Sequence, residues 1–134
     1  MAKRKSSSKV SATSQAKASG NTWRKLSKVE WKDSALITQL PFIKDTRGEV
    51  FHEDAGLYWW HVTEPEYWAQ GAQVGAAFAD RVAVVLPQNP ERIEQALCQS
   101  LESMLHQGGS GGLSIGFLRR LAHYACKGMQ GGAA

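Results

Sequence analysis

The sequence predicts a small α+β domain, with a short β-hairpin at about residues 49–62 packed against three or four helices and a disordered basic N-terminal arm. Three observations predict it. Residues 49–52 and 57–62 are short runs rich in aromatic and β-branched side chains, the composition of strands. The rest of the chain is dominated by longer stretches with apolar residues three and four apart, the helical period, without βαβ alternation. Residues 1–22 hold almost no large apolar group. With 134 residues, 43% of them hydrophobic and five of them Trp, the chain can build one core. The expected organisation is an arm at 1–22, one globular domain at 23–128 and a frayed end at 129–134.

The arm, MAKRKSSSKVSATSQAKASGNT, cannot bury enough surface to offset the entropy of ordering. It holds five basic residues and no acid, whereas residues 23–134 hold 11 basic and 12 acidic residues, a net charge of −1. The formal charge of +4 therefore belongs to the arm, and so does any argument from net charge to nucleic acid. Lys3, Arg4, Lys5, Lys9 and Lys17 are its candidate phosphate contacts; a solubilising tail is the competing reading.

Ser27 and Glu30 have the spacing of a capping box and open a helix around 28–40, with Trp31, Ala35, Leu36 and Leu40 along it and Pro41 as its stop. Asp33 competes as its start. Asp45-Thr46-Arg47-Gly48 reads as a turn, and residues 53–56 as the hairpin loop. In the second strand Trp59 and Trp60 face opposite sides, so one enters the core while the other is covered by a neighbour or exposed.

The stretch 63–86 is the central packing helix. Thr63 and Glu66 offer a second capping box with Pro65 in the first turn. Tyr67, Gly71, Val74, Phe78, Arg81 or Val82, and Val85 recur along one face. Gly71 and Gly75, joined by Ala72, Ala76, Ala77 and Ala79, form a ridge that lets another backbone approach closely, and they are the candidate positions for self-association.

Asn89 and Pro90 then start a helix with Ile93, Leu97, Leu101, Met104 and Leu105 as its apolar stripe, flanked by Ala96 and Cys98. Residues 107–112 read as a flexible linker. The last helix spans about 114–127, with Phe117, Leu118, Leu121, Tyr124 and Ala125 as its core side and Gly128 as its stop. Cys98 and Cys126 are expected as buried, reduced thiols; a disulfide requires their two helices to meet there.

No apolar run approaches the roughly 18 residues of a membrane span, and no secretory h-region is visible, so a cytoplasmic protein is expected. The pattern G-x-S-x-G occurs at 108–112 and at 112–116, but it follows a helix and not a strand, so no nucleophile elbow is expected; there is no Walker sequence, and the glycines at 108–112 lack its Lys. His52, Glu53, Asp54 and His61 offer metal-type donors, but their spacing matches no ligand motif. The expectation is a non-enzyme with no cofactor and no metal.

The expected function is that of a binding or regulatory accessory protein acting on a larger protein or nucleoprotein complex. Its surface is the acidic aromatic hairpin, with Tyr58, Trp59, Trp60, Glu53 and Asp54 as contacts. The alternative is a DNA-binding accessory protein that uses the arm together with Arg119, Arg120 and Lys127. Arg119, His123 and Lys127 lie at i, i+4 and i+8 on the last helix, where cations also suit the helix dipole. Pairing of that basic helix with the acidic residues 45–66 inside the molecule competes with both.

Overall fold

The computed structural model describes residues 26–48 and 54–132. They form four α-helices and a two-stranded antiparallel sheet, an α+β composition. The chain divides into two compact units, Met1–Thr38 with Lys44–Tyr58, and Gln39–Ile43 with Trp59–Ala134.

In the first unit, α1 (Lys28–Ile37) begins where its sequence says it should. The Glu30 amide donates to Ser27 Oγ at 3.1 Å, and the Ser27 amide donates back to Glu30 Oε1 at 2.9 Å. The helix buries only Ser34 and Ile37, while Trp31 and Val29 stand exposed. The hairpin is displaced from its predicted register. β1 (Lys44–Asp45) pairs with β2 (Leu57–Tyr58), Lys44 opposite Tyr58 and Asp45 opposite Leu57. The predicted first strand at 49–52 lies wholly outside the described residues.

The residues assigned to a turn do the pairing because their side chains replace missing ladder bonds. The Thr46 amide donates to Gly56 O at 2.9 Å, and the Gly56 amide donates to Thr46 Oγ1 at 3.0 Å. The Asp45 side chain is 1% exposed and receives Arg47 Nε and Nη2 at 2.9 and 2.7 Å and the Arg47 amide at 3.0 Å. Burial pushes its carboxyl up, but the Arg47 and Ser34 hydrogen bonds outweigh burial and hold it below the usual carboxylate range.

The second unit is built on an aromatic cluster and a glycine seam. Phe42 lies with its ring centroid 5.2 Å from Trp60, 5.6 Å from Phe78 and 5.1 Å from Phe117. Trp60 is 5.0 Å from Phe117 and meets Phe78 edge-on at 6.2 Å. Tilted and edge-to-face contacts of this kind suit the ring quadrupoles.

α2 (Trp68–Val85) starts after Tyr67, which makes no side-chain cap, so the predicted Thr63–Glu66 box does not start this helix. It is followed by a short 3₁₀ turn, Leu86–Gln88. Its buried face is Gly71, Gly75, Ala79, Val82 and Val85; Val74 and Phe78 are half-buried and Tyr67 is exposed. α3 (Pro90–His106) is capped as predicted, with the Arg92 amide donating to Asn89 Oδ1 at 3.2 Å. Its buried line is Ile93, Ala96, Ser100 and Met104, whereas Leu105 is 72% exposed. Ser100 enters the core because its hydroxyl donates to Ala96 O at 2.9 Å, satisfying it locally. Gly108 and Gly109 then take φ of 105° and 59°, a left-handed turn open to glycine.

α4 (Gly112–Gly132) is longer than predicted and runs through Gly128 without stopping. It explains why α2 turns its glycines inward. A Cβ at Gly75 would stand 2.6 Å from the Phe117 nitrogen, and one at Gly71 would stand 3.0 Å from the Leu113 nitrogen. Reciprocally, a Cβ at Gly112 would run into the Trp68 carbonyl oxygen, and one at Gly116 into that of Ala72. Both helices thus present a small-xxx-small pair. Trp68 meets Gly112, Ala72 meets Gly116 and Asp80 meets Arg120, so α2 and α4 run parallel. The ridge at Gly71 and Gly75, considered above for self-association, is occupied by α4 of the same chain. Glu64 Oε1 accepts the Leu113 amide at 2.7 Å, a carboxylate at the positive end of α4.

Cys98 and Cys126 are both exposed free thiols, not the buried ones expected. Their positions lie off the buried lines of α3 and α4.

The seam predicts opposite effects at two glycines. Gly75→Val should cost about 3 kcal/mol or more by overpacking, whereas Gly128→Ala, where a Cβ meets nothing within 4 Å, should gain about 0.5–1 kcal/mol. Urea unfolding of the two variants checks this; a Gly75→Val protein as stable as the parent would contradict the close approach. Trp60, 4% exposed, should cost about 3–5 kcal/mol on replacement by Ala, and half-buried Trp59 much less, in the same measurement.

Candidate binding surface on the last helix

α4 is anchored at its beginning and open at its end. Leu113, Ser114, Gly116 and Phe117 are buried, Leu121 is half-buried, and residues 122–130 are all exposed. The predicted core side is therefore only partly buried: Leu118 and Tyr124 are each 37% exposed, and Ala125 is exposed too. No acid occurs after Glu102, so this exposed length carries Arg119, Arg120, His123 and Lys127 with no acidic residue of its own. Arg119, His123 and Lys127 are solvent-exposed at the spacing of one helical stripe, with Met129 beyond them.

Arg120 is held differently. Its Nε donates to Asp80 Oδ1 at 2.9 Å, and the Tyr124 hydroxyl donates to the same oxygen at 2.6 Å. The Arg120 guanidinium also lies 5.6 Å from the Tyr124 ring centroid. The Tyr124 hydroxyl and the Arg120 guanidinium hold the Asp80 carboxyl below the usual carboxylate range, and Asp80 in turn raises Tyr124 and Arg120. The intramolecular partner of this basic helix is thus an α2 residue that the sequence reading did not single out. Arg120 and Tyr124 were legible as an i, i+4 pair, but nothing in sequence brings a residue 40 positions away to them.

Beside this triad the α2–α4 seam opens into a shallow depression of about 280 Å³, lined by Ala72, Ala76, Gly116, Arg119, Arg120 and His123. The small residues that let the helices touch form its floor; the basic side chains form its rim.

The hairpin residues fare unevenly. Trp60 is buried in the aromatic cluster, which removes it from the predicted contact surface. Trp59 is half-buried with the Arg92 guanidinium 5.8 Å from its ring centroid. Tyr58 is 36% exposed and its hydroxyl donates to the Asp54 backbone oxygen; Asp54 is exposed. Glu53, His52 and the arm residues Lys3, Arg4, Lys5, Lys9 and Lys17 lie outside the described residues. Among the described residues no group of three or more His, Cys, Asp or Glu is placed to hold a metal ion, and no helix is long and apolar enough to cross a membrane. The exposed pair Tyr67 and Trp68 at the start of α2 escaped the sequence reading, because the helical period placed Tyr67 on the core face.

Comparison with protein-family models, curated proteins and solved structures found no match to this chain.

The triad predicts an acid-sensitive contact. Asp80 titrates lower in the folded protein than unfolded, so its contribution is fully present above the unfolded value of about 3.9 and is lost as pH falls through the lower folded value. Melting temperatures of the protein and of Asp80→Asn should therefore differ near neutrality and converge in acid. A gap that stays constant down to the acid limb would show that the carboxylate is not held by Tyr124 and Arg120.

Proposed function

We propose that this protein is a non-enzymatic accessory factor that binds a nucleoprotein complex and holds its nucleic acid through the cationic face of α4. The observation that carries the reading is the acid-free stretch of α4 from Arg119 onward, with exposed Arg119, His123 and Lys127 on one stripe. Phosphates are recognised by such cations without a chemical step, and each contact releases condensed counterions. The five basic residues of the arm add to the same attraction. This favours the alternative of the sequence reading over the hairpin surface, whose Trp60 is internal.

A second reading rests on the exposed Tyr58 and Asp54, an aromatic and an acid on one turn suited to a protein partner. The two readings are compatible in a factor that meets both components of one complex.

Electrophoretic mobility shift of DNA and RNA fragments with the full chain tests the main reading. Binding should fall steeply between about 50 and about 200 mM salt, and the double variant Arg119→Gln, Lys127→Gln should flatten the log–log slope by about 2. Absence of any shift at the lowest salt would overturn it.

A further inference from the structure

The depression beside the α2–α4 seam has a composition that neither helix shows alone. Its floor is Ala72, Ala76 and Gly116, residues with no side chain beyond Cβ, and its rim carries Arg119, Arg120 and His123. We propose that it seats one phosphodiester group of a nucleic-acid strand, an inference that rests on the reading of α4 as a nucleic-acid face.

The chemistry follows from how the rim is prepared. Asp80 takes the Nε edge of Arg120 at 2.9 Å, and Tyr124 lies against the guanidinium, so the fork is ordered before any ligand arrives. A guanidinium engaged by Asp80 through Nε and hydrogen-bonded to Tyr124 keeps its remaining terminal donors for a second oxyanion. Asp80 is the opposing charge at this place, and Arg120 balances it; Arg119 then supplies the net positive charge, and the His123 ring a further N–H donor. No carboxylate is among the lining residues. The small floor lets a phosphate oxygen come close to the helix backbones without displacing a side chain.

Shape favours a strand over a free small molecule. The depression, about 280 Å³, is shallow and open to solvent, so it does not enclose a ligand on all sides. It can hold one group of a longer chain whose remaining contacts lie along Arg119 to Lys127.

The test uses the full chain and a short single-stranded oligonucleotide, with inorganic phosphate as the second probe. Backbone-amide NMR should show the oligonucleotide shifting Ala72, Ala76 and Gly116 together with residues 119–123. Ala76→Leu fills the floor without removing charge, and should weaken oligonucleotide binding about tenfold while leaving the melting temperature unchanged. Should that variant unfold, the amide shifts of the parent chain decide alone. Shifts confined to α4, with Ala72 and Ala76 unmoved, would overturn the seat and leave the α4 reading standing. No oligonucleotide binding at all would overturn both. Inorganic phosphate that moves the same amides more tightly than the oligonucleotide would overturn the assignment to a strand.

Discussion

The contact between the backbones of α2 and α4 is the constraint on which the second unit depends. Gly71 and Gly75 face Leu113 and Phe117, while Gly112 and Gly116 face the carbonyls of Trp68 and Ala72. A methyl group at these positions would have to displace main chain, which packed interiors resist because they lack room to relax. The arrangement is therefore specific in register as well as in partner. It needs both glycine pairs at once, and it sets the two helices parallel. The connection between them, α3 with its glycine turn at 108 and 109, makes the return.

Several features follow from this seam. Phe117 on α4 is carried into the cluster with Phe42, Trp60 and Phe78, so two segments far apart in sequence are joined through rings. The start of α4 is brought under Glu64, whose carboxylate takes the Leu113 amide. The small side chains that make the contact also leave a floor beside it, and the basic residues of the next turns stand around that floor. Structure and candidate site thus share one cause: the absence of side chains along two helix faces.

The charge on α4 is arranged by the same geometry. Arg120 lies where α2 offers Asp80, and Tyr124 completes the set. Arg119 and Lys127 project from positions that α2 does not cover and remain exposed. Neighbouring residues of one helix are therefore divided between an internal pairing role and a free cationic surface. The exposed Leu118 and Met129 show that α4 carries more apolar surface than the seam uses.

Local signals in the sequence determined the elements whose causes are local. The Ser27–Glu30 capping box, the Asn89 cap with Pro90, the helical period of the central stretch and the α+β composition were all legible, because each depends on residues within a turn or two. Trp59 and Trp60 do differ in burial, but they stand in a turn after the two-residue strand Leu57–Tyr58, so the strand alternation expected over 57–62 is not what separates them. Tertiary structure decided the rest. It moved the strand pairing to Lys44–Asp45, where the Thr46 hydroxyl stands in for ladder bonds, and turned Tyr67, Leu105 and Tyr124 outward from faces that periodicity called apolar. It also extended α4 through Gly128, left both thiols exposed, and gave Arg120 its partner across 40 residues. Periodicity describes one helix at a time, whereas burial depends on what lies against it. Here that neighbour is a backbone admitted by glycine, and a missing side chain in one segment does not name the segment that will fill its place.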